Sequence, residues 1–135
     1  MMLSKKPKIV YITGTRADYG LMRRSLLALD KISDLHLLVT GMHLDKKFGF
    51  TFNEIKKDKL KVSGIYRWPH SSDQLMDLAK NLGYLLIELS QALEKIKPEL
   101  ALVEGDRIEA LALAVVAKNL NITVIHQGGG DKSGS

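Results

Sequence analysis

The chain has 135 residues, enough for one packed domain and too few for two, and it has no cysteine, which excludes disulfides, thiolate catalysis and cysteine-ligated zinc. Its 45% hydrophobic and 26% charged content is usual for a soluble globular domain, and no run approaches the ~20 apolar residues of a membrane helix, so we expect a cytoplasmic protein without membrane contact. Lysine and arginine exceed aspartate and glutamate by 20 to 15, which suits an anionic ligand, but the basic runs are typical of solvated faces and the scattered aromatic residues do not support nucleic-acid binding.

Short β-branched runs alternate with helical patterns along the first half of the chain. Residues 8–13, ended by Gly14, predict a buried strand, and residues 19–29 predict a helix with Asp18 as its N-cap. The elements predicted after these are a second strand at 36–40, a short helix or turn at 51–57, and a weaker third strand at 61–66.

A long helix follows, in which leucine or isoleucine recurs every three or four positions from residue 75 to residue 96. Ser71 or Ser72 is its predicted N-cap, and Pro98 ends it. The helix is longer than a small sheet needs. We therefore expect part of residues 72–97 to pack on another domain or on a second copy of the chain in a homodimer.

Three more elements complete the pattern. Residues 100–103 predict a fourth strand, 109–117 an apolar helix buried on all sides, and 123–126 a fifth strand before a glycine-rich segment. This alternation predicts an α/β fold with an open parallel five-stranded sheet, strand order 3-2-1-4-5, and helices on both faces. Residues 1–135 would then form a single Rossmann-like domain.

Glycine, charged residues and histidine follow the ends of four predicted strands. In parallel sheets ligands bind beyond the carboxyl ends of the strands, where the strand order reverses, so we expect a ligand site at this rim. The segments concerned are Gly14-Thr15-Arg16-Ala17-Asp18, Thr40-Gly41-Met42-His43, Glu104-Gly105-Asp106-Arg107, and His126 with the glycines after it.

Two of these segments have both a chemical and a structural interpretation. Gly14 and the free amides of a helix start could hold phosphate with Arg16, or Arg16 could be a surface residue. Asp106 could be a general acid or base, or it could cap the next helix with Glu109 as the partner in a capping box.

The histidines also allow two interpretations. His126 and His43 are each either a core histidine with a hydrogen-bond partner or a residue that touches ligand. Metal binding is not expected, because the histidines are widely separated and no His-x-x-x-His pair exists.

The ordered motifs resemble one family, the hydrolysing UDP-N-acetylglucosamine 2-epimerases of sialic-acid and related amino-sugar biosynthesis. The resemblance covers essentially the whole chain. It is carried by Gly-Thr-Arg-Ala-Asp-Tyr-Gly at 14–20, Thr-Gly-Met-His-Leu at 40–44, Phe48-Gly49-x-Thr51-x-x-Glu54-Ile55, Gly-Asp-Arg-x-Glu-Ala-Leu-Ala at 105–112, and His126 with Gly-Gly-Asp-Lys-Ser-Gly at 129–134.

The resemblance implies a glycosyltransferase B-type enzyme with two Rossmann-like domains around a deep cleft. Such enzymes convert UDP-N-acetylglucosamine and water into N-acetylmannosamine and UDP, through elimination of UDP and hydration of a glycal, with no metal and no nicotinamide cofactor. The family is at least about twice as long as this chain, so the chain would be the first half, without the second domain and inactive alone.

Carried over by position, the family's roles fall on residues of the rim. Asp106 would do acid–base work and Arg16 would face the diphosphate. The predicted catalytic residues are Asp106 and Asp131, and the predicted substrate-binding residues are Gly14, Arg16, Asp18, His43, Arg107, His126 and Ser133.

The chain departs from the family after its last strand. Many members carry His-x-Glu-Gly-Gly-Glu there, and the first glutamate is implicated in catalysis. Here Gly128 takes that place and Asp131 takes the place of the second glutamate. Two alternatives therefore stay open: another enzyme on the same scaffold, such as a glycosyltransferase or a non-hydrolysing epimerase, or a degenerate, non-catalytic nucleotide-sugar-binding or assembly domain.

Overall fold

The computed structural model describes residues 5–45, 51–69 and 74–129. Strands and helices alternate along these ranges. In chain order they are β1 Lys8–Thr13, α1 Arg16–Ile32, β2 Asp34–Thr40, a 3₁₀ turn Gly41–Leu44, α2 Phe52–Lys57, β3 Val62–Tyr66, α3 Leu75–Ile96, β4 Leu100–Glu104, α4 Ile108–Asn119 and β5 Thr123–Gln127.

The five strands form one parallel sheet in the order β3-β2-β1-β4-β5, which confirms the predicted topology. Tyr11 in the centre of β1 pairs with Leu37 of β2 on one side and with Leu102 of β4 on the other. Because the chain leaves β1 toward β2 and returns to β4, the connections after β1 and β4 diverge and open a crevice at the carboxyl edge.

Helices cover both faces of the sheet, as predicted. On one face, α3 and α4 bury leucines such as Leu89 and Leu113 against β1 and β4. On the other face, α1 and α2 bury Met22, Leu26 and Ile55 against β1 and β2. Each helix buries its apolar stripe on the sheet, and this burial holds the strand ends in place.

The start of α1 differs from the prediction. Asp18 is not the N-cap, because the helix begins three residues earlier with Thr15 as its N-cap. Thr15 Oγ1 accepts the amide of Asp18 at 3.1 Å, while the Asp18 carboxylate accepts the amide of Thr15 at 2.7 Å. This reciprocal pair is a capping box, and it satisfies two donors that the helix start would otherwise leave unpaired.

The later helices also correct three expectations. Ser71 and Ser72 lie outside the described residues, and Gln74 is the N-cap of α3. Helix α4 has Arg107 as its N-cap with no side-chain bond, so Asp106 and Glu109 form no capping box. Nor is α4 buried on all sides, since Leu111 and Val115 on its outer side are exposed. None of the helices in the described ranges combines the length and apolar character needed to cross a bilayer.

Candidate active site

A cleft of about 250 Å³ opens between the carboxyl ends of β1 and β4. The start of α1 forms one wall through Thr15, Ala17 and Asp18. The opposite wall comes from the turn after β4 and the start of α4, and it contains Glu104, Gly105, Asp106, Arg107 and Glu109. The cleft therefore lies at the predicted rim, with charged side chains from neighbouring strand ends around it.

Asp18 is the structural anchor of the first wall. Its carboxylate accepts the amide of Gly14 at 3.0 Å, the amide of Thr15 and the hydroxyl of Thr15, and it is also bonded by the hydroxyls of Tyr11 and Thr13. The amides of Gly14 and Thr15 are thus not free to hold phosphate. The expectation of free amides is wrong for these two groups, because an internal carboxylate already occupies them.

Glu109 lies at the base of the cleft and is only 3% exposed. A Cβ atom added to Gly14 would be 2.6 Å from Glu109 Cδ, and one added to Gly41 would be 3.3 Å from Glu109 Oε1. Met42 also donates its amide to the Gly14 carbonyl at 2.8 Å, which joins the two glycine turns. Gly14 therefore serves close packing here: its missing side chain leaves the space that Glu109 fills.

The charge of Glu109 is only partly compensated. Arg107 Nε donates to Oε2 at 3.3 Å, while Oε1 is buried with no hydrogen-bond partner among the described residues. Burial raises the pKa of Glu109, the positive charge of Arg107 lowers it, and the negative charge of Asp18 raises it. The site thus contains a carboxyl group that resists ionisation next to a guanidinium that is half exposed.

Glu104 lines the cleft at the end of β4, and His126 of β5 lies beside the turn that follows it. His126 Nε2 lies 2.7 Å from the Gly105 carbonyl, so it carries the proton and donates. Burial raises the pKa of Glu104, and the negative charges of Asp18 and Asp106 raise it further, while His126 lowers it. His126 therefore lies at the rim and orients the turn that carries Asp106.

His43 lies behind the cleft, with no exposed surface. Its Nε2 is 2.8 Å from the Thr13 hydroxyl and its Nδ1 is 2.7 Å from the Thr51 hydroxyl. Since Thr13 donates its proton to Asp18, the bond to His43 must come from Nε2–H, and Thr51 donates to Nδ1. Burial lowers the pKa of His43, so a neutral ring links β1, the 3₁₀ turn and α2.

Arg16 occupies the same edge of the sheet but the far side of the α1 start. Its side chain is 74% exposed, its guanidinium lies 3.4 Å from Glu54, and it lines a neighbouring groove with Tyr19 and Arg23. The exposed end of Arg16 carries only this one ion pair among the described residues. Contact with a diphosphate stays a prediction for Arg16.

The structure thus brings together Asp18, Asp106, Arg107 and the backbone of Gly14, with His126 beside them. Asp131 and Ser133 lie outside the described residues. Within the described ranges no three histidine or acidic side chains cluster so as to hold a metal ion.

Two carboxylates of the cleft, Glu104 and Glu109, are not among the site residues predicted from the sequence. Glu104 was visible as a charged residue at the end of a strand. Glu109 was interpreted as a capping partner, and only the close approach of Gly14 and Gly41 reveals it as part of the floor.

The model of the UDP-N-acetylglucosamine 2-epimerase family matches residues 27–135. The UDP-N,N'-diacetylbacillosamine 2-epimerase (hydrolyzing) of Legionella pneumophila is 45% identical over 130 residues, which cover 95% of this chain and 34% of that protein.

Solved structures of UDP-GlcNAc 2-epimerases are similar in fold. The Neisseria meningitidis enzyme bound to UDP-GlcNAc has a TM-score of 0.76 at 22% identity, covering 95% of this chain and 34% of that one. The Methanocaldococcus jannaschii enzyme in complex with UDP-GlcNAc and UDP has a TM-score of 0.66 at 31% identity, covering 88% and 32%.

The chain spans about a third of the length of the curated relatives it matches. The family match nevertheless covers most of the chain itself, from within α1 to its last residue. The five-stranded parallel sheet, the cleft at its carboxyl edge and this match agree. The chain belongs to the UDP-N-acetylglucosamine 2-epimerase family.

Proposed function

We propose that this chain is the N-terminal, nucleotide-sugar-binding part of a hydrolysing UDP-N-acetylglucosamine 2-epimerase, which converts UDP-N-acetylglucosamine and water into N-acetylmannosamine and UDP. The observation that carries the proposal is the cleft in which Asp18, Asp106 and Arg107 meet. Carboxylates beside a guanidinium supply both proton transfer and a partner for a diphosphate in one site.

In this proposal Asp106 removes the C2 proton of the sugar. The electron pair of that C–H bond forms the C1–C2 double bond, and the C1–O bond breaks as UDP leaves. Arg107 compensates the charge that builds on the departing diphosphate, since its guanidinium is half exposed and makes a single bond, to Glu109, among the described residues. Water then adds to the glycal and gives N-acetylmannosamine.

The volume of the cleft is smaller than a complete nucleotide-sugar site needs. At about 250 Å³ it falls below the ~300–1,000 Å³ that enclose a drug-sized ligand, so it holds the reacting part of a nucleotide-sugar better than the whole of it. We propose that residues 1–135 form one domain and that a second Rossmann-like domain of the full-length protein supplies the other wall.

Calorimetry with UDP tests binding by the chain itself. We expect weak but measurable binding that weakens further in Arg107→Gln. The matched control is Arg24→Gln, an exposed arginine on α1 that does not line the cleft. No heat of binding at millimolar UDP would contradict the proposal.

Product analysis of the longest gene product that contains this chain tests the reaction. Free N-acetylmannosamine as the product supports a hydrolysing epimerase. UDP-N-acetylmannosamine would indicate a non-hydrolysing epimerase, and a glycoside would indicate a glycosyltransferase. The absence of turnover would indicate a non-catalytic binding domain. The Legionella relative, a UDP-N,N'-diacetylbacillosamine 2-epimerase (hydrolyzing), suggests a second candidate substrate. UDP-N,N'-diacetylbacillosamine should therefore be assayed beside UDP-N-acetylglucosamine.

We also propose a homodimer formed through α3. Support comes from the large apolar side chains that this helix exposes, among them Met76 at 66% and Ile87 at 62%. A cytoplasmic location fits a chain that has no cysteine for disulfide formation.

A further inference from the structure

Glu104 ends β4 with a carboxylate that faces the cleft. It is partly buried, and neither of its oxygens makes a hydrogen bond or ion pair with a described residue. Two other carboxylates of the cleft, Asp18 and Glu109, differ in this respect, because Asp18 is held by its capping bonds and Glu109 by Arg107. A carboxylate without a structural partner is available to a ligand.

The backbone brings Glu104 and Asp106 to the same cleft. Gly105, between them, has φ +78°, a left-handed conformation that turns the chain at the end of the strand. The Gly105 amide donates to the Gln127 carbonyl at 3.0 Å and its carbonyl accepts from His126, so the turn is fixed on both sides by β5. Both carboxylates therefore stand on a rigid support.

Glu104 also occupies the space next to residue 128. A Cβ atom on Gly128 would lie 3.2 Å from Glu104 Oε1, and φ of Gly128 is +70°, which disfavours any side chain there. The carboxylate at this point of the cleft thus comes from the end of β4 and not from residue 128.

The chemistry of the proposed reaction needs two proton-transfer groups. Inversion at C2 of a sugar held in one orientation means that the substrate loses its C2 proton from one face of the ring. The glycal formed in this way then receives a proton at C2 on the other face. Asp106 serves the first face in the function proposed above. A second group is needed for the opposite face, in the half-reaction that follows departure of UDP.

We propose that Glu104 is a catalytic residue of the hydration step and delivers the proton to C2 of the glycal. As the Glu104 O–H bond breaks, the C1–C2 electron pair takes the proton at C2, and a water oxygen bonds to C1. The attacking water releases one of its protons to the surrounding solvent, and the Glu104 carboxylate takes up a proton from that solvent, so that atoms and charge balance. Burial, together with the negative charges of Asp18 and Asp106, raises the pKa of Glu104 and so favours the protonated form that this step requires.

The inference rests on the proposed function, and its test separates the two half-reactions. The longest gene product containing this chain is incubated with UDP-N-acetylglucosamine, and UDP, glycal and N-acetylmannosamine are measured by ¹H NMR. We expect Glu104→Gln to release UDP and accumulate glycal while N-acetylmannosamine formation falls by about 100-fold or more. Glu104→Asp, which keeps the carboxyl group, should restore part of that loss.

Glu99→Gln is the matched control, because Glu99 is exposed just before the same strand at the opposite edge of the sheet. It should form N-acetylmannosamine at the wild-type rate. Calorimetry with UDP verifies that the Glu104→Gln variant is folded. If that variant does not fold, the same product measurements on Glu104→Asp test the inference.

The outcomes distinguish this inference from the proposed function. Wild-type rates of N-acetylmannosamine formation in Glu104→Gln overturn the assignment of Glu104, and so does a variant that stops before UDP is released. If the wild-type protein releases neither UDP nor free sugar, the proposed function itself is wrong.

Discussion

The carboxyl group of Glu109 fills the volume that a side chain on Gly14 would need. A Cβ atom at position 14 would be 2.6 to 2.7 Å from Glu109 Cδ, Cγ and Oε1, and Glu109 is buried and cannot swing into solvent. The requirement for glycine at position 14 is therefore steric, since Gly14 has no positive φ.

We expect Gly14→Ala to lower the free energy of unfolding by about 1–3 kcal/mol through overpacking. Gly20→Ala is the control, because a Cβ there meets nothing within 4 Å in the middle of α1. That change should instead stabilise the protein by about 0.5–1 kcal/mol. Urea denaturation of both variants measures the difference, and equal effects of the two would contradict the steric explanation.

Glu109 should also make stability depend on pH. Burial raises its pKa in the folded protein above the unfolded value, so the folded state binds more protons. The stability that Glu109 contributes is fully present at pH values below its pKa in the unfolded chain. It is lost as the pH rises through its pKa in the folded protein. Glu109→Gln cannot titrate. Relative to wild type, the variant should therefore become more stable as the pH rises above the unfolded pKa of glutamate, which is about 4.3.

Urea midpoints across this pH range measure the effect. Arg107→Gln supplies an independent check, because the charge of Arg107 lowers the pKa of Glu109. Without the positive charge of Arg107 the pKa of Glu109 should rise further, so the loss of stability should extend to higher pH. A stability difference between Glu109→Gln and wild type that stays constant with pH would show that Glu109 does not titrate differently in the two states.

At the scale of elements, the sequence predicted every strand within two residues and the whole topology. Short β-branched runs bounded by glycine or polar residues carry that information locally. The predicted start of α1 was wrong because Thr15 and Asp18 are both common N-cap residues and lie three positions apart. Only the backbone geometry shows which of them is the N-cap and which is the third residue of the helix. The role of Glu109 was missed because its burial depends on glycines in two other connections.

The capping box of α1 is expected to contribute more than a surface cap. Replacing Asp18 with alanine leaves the amides of Gly14 and Thr15 and the buried hydroxyl of Thr13 without their acceptor. We expect a loss of about 1–3 kcal/mol in the free energy of unfolding. Asp30→Ala, at an exposed position near the end of the same helix, should change it by less than about 0.5 kcal/mol. A loss no larger in Asp18→Ala than in Asp30→Ala, measured by urea denaturation, would rule out this role.

At the scale of the whole molecule, α3 exposes several large apolar side chains. The middle and end of α3 bury Leu85, Leu89 and Leu93 on the sheet, while Leu75 and Met76 at its start and Ile87 on its outer face are exposed. Residues eleven apart on a helix lie about 20° from each other around its axis, so Met76 and Ile87 share one face. Exposed apolar side chains on one helix face are typical of an association surface.

We therefore expect Ile87→Lys to convert a dimer of this chain into monomers, as measured by sedimentation velocity, because a charge would be buried in the interface without a partner. Leu120→Lys is the control, since Leu120 is exposed to 47% at the end of α4 and lies outside the proposed interface. Dimers that persist in Ile87→Lys, or that dissociate equally in Leu120→Lys, would place the interface elsewhere. If the chain dimerises through α3, the cleft stays accessible, because its walls come from α1, α4 and the turn after β4.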